Sequence, residues 1–103
     1  MKALNLKAVG ELVYEEMPTP KPKAGEVLVK IKACGICGSD VPRVLTKGTY
    51  HFPTVVGHEF AGQIVELGEG VDKKYLGKKA AVFPLLPRPA VCSPRRCLAH
   101  QHF

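Results

Sequence analysis

A small, mainly β domain is predicted by three observations. Segments of four to eight residues alternate apolar and charged side chains, Gly and Pro clusters separate them at short intervals, and no stretch long enough for a full helix keeps a 3.6-residue period. Short strands punctuated in this way favour a small barrel with helical turns. At 103 residues the chain has room for one domain with a modest core.

The N-terminus, Met1-Lys2-Ala3-Leu4-Asn5-Leu6-Lys7, alternates as a strand does. Leu12 to Glu15 is a second short strand. The run Pro18-Thr19-Pro20-Lys21-Pro22-Lys23-Ala24-Gly25 then resists both helix and central strand, because proline lacks the ladder N–H, and it reads as a connector. The clearest strand is Glu26 to Ala33, with Val27, Val29, Ile31 and Ala33 on one face and mostly charge on the other. It delivers the run Cys34-Gly35-Ile36-Cys37-Gly38-Ser39-Asp40 to a loop. Val41 to Thr46 suggests a short helical turn, which Asp40 is placed to cap. Phe60 to Leu67 and Lys79 to Phe83 are the remaining strands. Gly68-x-Gly70 between them reads as a turn, since a dinucleotide fingerprint needs a third glycine and a βαβ setting.

Charge and hydropathy exclude several classes of function. Of the net charge of +6, Arg88, Arg95 and Arg96 supply half, and the other basic residues are scattered without interleaved aromatics. They read as solvated faces, so no nucleic-acid partner is expected. No apolar run is long enough to span a membrane, and the alternating N-terminus lacks the continuous apolar core of a signal peptide. A reducing, cytoplasmic location with free thiols is the expectation.

The chemistry concentrates in two motifs. Cys37 and the segment Gly57-His58-Glu59-Phe60-Ala61-Gly62 offer a thiolate and an imidazole, ligands that a borderline-soft Zn²⁺ accepts. Glu59 is placed to bind the metal or to act as a mobile carboxylate beside it. Asp40 is placed to accept the other imidazole N–H of His58 and fix its tautomer. Ser39, two residues after the thiolate, is positioned to pass a proton between the reacting oxygen and solvent. Cys34 reads as a small buried hydrophobe. A redox dithiol formed by Cys34 and Cys37 would need a thioredoxin-like strand-to-helix setting, which is missing.

These residues, with Gly62 followed at family spacing by Gly68 and Val71, resemble the zinc-dependent medium-chain alcohol and polyol dehydrogenases. Within that family, Cys37-Gly38-Ser39-Asp40-Val41-Pro42-Arg43 and Phe83-Pro84-Leu85-Leu86-Pro87 look most like galactitol-1-phosphate and sorbitol-type dehydrogenases. The resemblance implies a GroES-like catalytic domain over residues 1–87. It also implies zinc at Cys37, His58 and Glu59, a polyol or alcohol substrate, hydride transfer to NAD, and a possible oligomer. Arg43 reads either as a contact for a substrate phosphate or as a surface charge, whereas Lys47 reads as a surface charge.

Relatives bind NAD on a following Rossmann domain, so no NAD site is expected in these residues, and the chain is expected to be a fragment that is inactive alone. The family's four-cysteine structural zinc lobe would fall at Arg88, Val91, Pro94 and His102, none of them cysteine. Residues 88–103 are therefore expected to be a non-family, irregular tail. An improvised site from Cys92, Cys97, His100 and His102 fits no familiar zinc-finger spacing. The competing reading is a zinc-binding or interaction module without catalysis.

Overall fold

The computed structural model describes residues 1–82 and the backbone of Ala99–His100. The chain is mainly β. Strands β1 (Lys2–Ala8) and β2 (Glu11–Glu16) form an antiparallel hairpin, with Asn5 opposite Val13 and Leu6 opposite Leu12. The Pro-rich connector leads without regular structure to β3 (Val27–Gly35). A short helix α1 (Asp40–Pro42) follows, continued by a wider helical turn over Arg43–Lys47. Then come β4 (Thr54–Val55), β5 (Glu59–Leu67), β6 (Lys79–Ala81) and β7 (Ala99–His100).

Two sheets result, ordered β2-β1-β4 and β6-β5-β3-β7. All pairings are antiparallel except β3 with β7, where Val27 faces Ala99 and Leu28 faces His100. These last two residues fall within the stretch expected to be an irregular tail. The positions 88, 91, 94 and 102 compared with the structural zinc lobe, and the side chains of Cys92, Cys97, His100 and His102, lie outside the described residues.

Strands β1, β2, β3, β5 and β6 form where the alternation predicts them, with boundaries moved by one or two residues, whereas β4 and β7 were not expected. In β5 the burial alternates cleanly, Phe60 and Ile64 inside with Ala61 and Gln63 outside. In β3 it does not. Val27, Leu28 and Val29 are all buried, while Ala33 is exposed. Irregularities in the β3–β5 register between Leu28 and Val29 and between Ile31 and Ala33 shift which face each side chain takes. The larger sheet's core is Val27, Val29 and Ile64, with Ile31, Leu67, Val71 and Ala80 packed against it.

One glycine is dictated by this pairing. A Cβ on Gly62 would lie 2.1 Å from the backbone oxygen of Lys30, so β5 comes this close to β3 only because that position carries no side chain. Gly68–Gly70 forms the expected turn, with Gly68 N–H donating to Glu26 O at 2.8 Å.

Candidate metal centre

Strand register builds the site. Gly35, the last residue of β3, faces Glu59, the first residue of β5. The chain leaving β3 and the chain entering β5 therefore meet at one end of the sheet's two inner strands. Cys37 lies two residues beyond that exit and His58 one residue before that entry, so residues 21 apart in sequence become neighbours. Gly57, at φ 102°, makes the bend that turns the chain into β5, a conformation a side chain would strain.

The Cys37 sulfur, a His58 ring nitrogen and a Glu59 carboxylate oxygen all lie within 4.8 Å of one another. Bond lengths of 2.0–2.3 Å in a tetrahedral zinc site put ligand atoms about 3.5 Å apart, so a closure of about an ångström would complete the shell. Thiolate, imidazole and carboxylate suit zinc, and three protein ligands leave a fourth position open. Cys37 and His58 are half-buried and Glu59 is exposed. The residues present fit the metal.

Asp40 organises this cluster from beneath. It is buried at 7% exposure. It is the first residue of α1 rather than its cap, and its carboxylate turns back to accept the Cys37 N–H at 2.9 Å, closing the loop that carries the thiolate. The other carboxylate oxygen stands 3.4 Å from the Arg43 guanidinium and 3.2 Å from His58 Nδ1. The His58 contact is close in distance but not aligned as a hydrogen bond, and the buried Nδ1 has no hydrogen-bond partner. A small ring rotation would align it. Ser39 is exposed, makes no capping hydrogen bond, and is not one of the clustered ligands.

Cys34 stands apart. It faces Phe60 across the ladder and lines an apolar groove of about 430 Å³ with Leu4, Leu12, Val41, Val44 and Leu45. Burial pushes its thiol pKa up, and the nearby charges of Asp40 and Glu59 push in the same direction against a hydrogen bond from the Glu59 backbone. Geometry separates the two cysteines, since Cys37 is in the ligand cluster and Cys34 is not.

The features that sequence reasoning missed are structural. The opposition of Gly35 and Glu59 follows from register, which a run of apolar alternation does not specify. That His51 and Thr49 line one cleft with Arg43 and Lys47 depends on a loop with no periodic signal. Only the four-residue spacing of Arg43 and Lys47 hinted that both face one side of a helical turn.

Comparison with known proteins agrees with this architecture. The alcohol dehydrogenase GroES-like domain profile matches residues 23–102, a span that runs past Pro87. Galactitol 1-phosphate 5-dehydrogenase of Escherichia coli K12 is 48% identical over 62 residues, 60% of this chain and 18% of that protein. The crystal structure of galactitol-1-phosphate dehydrogenase from Escherichia coli superposes with a TM-score of 0.80 at 39% identity, covering 89% of this chain and 27% of that one. A short chain alcohol dehydrogenase of Escherichia coli CFT073, solved with NADH, gives a TM-score of 0.79 at 40% identity over 91% of this chain and 27% of its own. The chain thus spans about a fifth to a quarter of the length of these relatives. No helix among the described residues is long and apolar enough to cross a membrane.

Proposed function

Given that this chain belongs to the alcohol dehydrogenase GroES-like domain family, we propose that it is the zinc-binding catalytic part of an NAD-linked alcohol or polyol dehydrogenase. The observation that carries this reading is the convergence of Cys37, His58 and Glu59 at the junction of β3 and β5. The names of the relatives support a polyol substrate, galactitol 1-phosphate among the candidates.

In this reading Cys37, His58 and Glu59 hold zinc, which when bound supplies Lewis-acid polarisation of the substrate oxygen. The remaining work belongs to the protein. His58 presents Nε2 to the site while Nδ1 faces the Asp40 carboxylate, which sets the tautomer and raises the ligand's basicity. Asp40 also fixes the Cys37 loop, so thiolate and imidazole are positioned by one buried group. The exposed Ser39 hydroxyl takes the proton released by the substrate hydroxyl and passes it to solvent. Arg43 is anchored on Asp40 beside this cluster. Hydride leaves the substrate carbon for a nicotinamide, and that step requires the ring to be held in contact with the carbon. The relative solved with NADH extends well beyond the 27% of its length that this chain covers, which supports the reading that the nicotinamide is bound outside these 103 residues and that they do not turn over alone.

One preparation tests both halves of this reading. The purified chain binds one zinc per molecule, Cys37→Ser and His58→Ala each abolish that binding, and none of the three oxidises polyols with NAD. Zinc retained by both variants would refute the assignment of the ligands. NAD-dependent turnover by the wild-type chain would refute the division of labour.

A further inference from the structure

Asp40 brings a negative charge to a place where the metal's own charge is already spent. A divalent zinc ion held by the Cys37 thiolate and the Glu59 carboxylate is neutralised by those two ligands, and the His58 imidazole adds no charge. The Asp40 carboxylate beneath them, at 7% exposure, has lost most of its hydration and needs a counter-charge of its own. Among the described residues, the only permanent cation in ion-pair contact with it is the Arg43 guanidinium, at 3.4 Å.

That carboxylate is divided between two tasks. Its Oδ2 accepts the Cys37 N–H at 2.9 Å, and its Oδ1 meets both Arg43 Nη1 at 3.4 Å and His58 Nδ1 at 3.2 Å. One carboxylate oxygen has lone pairs for both donors. Arg43 follows Asp40 by three residues, where α1 passes into the wider turn, so its guanidinium can reach back to the start of α1. Without that partner the carboxylate would regain hydration by swinging towards solvent, which would draw Oδ2 off the Cys37 loop and Oδ1 off the imidazole.

We propose that Arg43 is a positioning residue for the metal centre, the counter-ion that holds the Asp40 carboxylate where it orders both the Cys37 loop and the His58 ring. This rests on the reading of Cys37, His58 and Glu59 as zinc ligands and adds a residue that acts on them through Asp40. The sign of its effect separates this role from that of a surface charge. A bystander cation beside a zinc site repels the incoming ion, so its removal leaves the affinity unchanged or raises it. Removal of the counter-ion lowers it.

The test is zinc affinity, by chelator competition, of the full 103-residue chain and of Arg43→Gln, Arg43→Lys, Asp40→Asn and the double variant Asp40→Asn/Arg43→Gln. Arg43→Gln binds zinc about tenfold more weakly, the lower end of the losses for groups that orient metal ligands. Arg43→Lys keeps the charge and recovers most of that affinity. The double variant binds no more weakly than Asp40→Asn alone, because Arg43 then has no carboxylate to hold. Cobalt(II) in place of zinc gives a second readout, in which the ligand-field bands of Arg43→Gln move away from those of the wild type and those of Arg43→Lys do not. Zinc binding by Arg43→Gln that equals or exceeds the wild type overturns the proposal and leaves the ligand assignment intact. So does a loss that Arg43→Lys shares in full, or one that adds in full to that of Asp40→Asn. Failure of the wild-type chain to take up zinc refutes the metal reading and this inference together.

Discussion

Asp40 carries more of the site's geometry than any of the three candidate ligands, because one buried carboxylate meets the Cys37 N–H, the Arg43 guanidinium and His58 Nδ1. An amide of the same shape keeps one acceptor but loses the negative charge that holds the other two partners. Asp40→Asn is therefore expected to weaken zinc binding by about ten- to a hundredfold, the usual loss for a group that orients a metal-bound histidine. Competition with a chromophoric chelator measures this, and equal affinities would leave Asp40 as a tie for the Cys37 loop only. Gly62 acts at the same scale through absence. Its missing Cβ is what lets the Lys30 carbonyl lie where it does, and Gly62→Ala must push the strands apart. A loss of roughly 3 kcal/mol is expected from overpacking of this kind, read as a fall in the urea midpoint. An unchanged midpoint would mean that the two strands have room to give.

At the scale of elements, β1 and β2 are tied by ion pairs that run along the hairpin. Glu15 is held below the ordinary carboxyl value of 4.5, first by Lys7 and then by Asn5, and Glu16 likewise by the N-terminal ammonium and then Lys2. A carboxyl lowered in the folded state stabilises above its unfolded pKa, and that contribution is lost as pH falls through the folded value. Acidification below 4.5 should therefore loosen the β1–β2 hairpin before the β3–β5 ladder. Amide exchange near pH 3 checks the order, and uniform loss of protection across both sheets would contradict it. These carboxyls are partly solvated, so the effect is one of local order.

The same scale shows how much could be read from the residues alone. The periods of β3 and β5 and the Pro-rich connector were legible because apolar alternation and proline act locally. The two-residue β4 was not, since two residues carry no period, and the exposure of Ala33 was not, since it follows from register shifts with a partner strand. Cys37 and His58 were recognisable as ligands by type and motif, but their meeting depends on Gly35 lying opposite Glu59. Long-range pairing of that kind is set by the whole sheet.

For the molecule as a whole, we propose that the end of the inner strands of the larger sheet is a zinc site with a single sulfur ligand, and that the two cysteines of the Cys34–Cys37 pair have different fates. Cys37 converges with His58 and Glu59, while Cys34 lines the apolar groove outside that cluster. X-ray absorption at the zinc edge counts sulfur ligands directly. In a zinc-loaded chain with Cys34, Cys92 and Cys97 all changed to serine, one sulfur at about 2.3 Å with nitrogen and oxygen at about 2.0–2.2 Å is expected, and changing Cys37 to serine as well removes it. A spectrum of the wild-type chain with two sulfurs, one of them lost on changing Cys34 alone, would contradict the account.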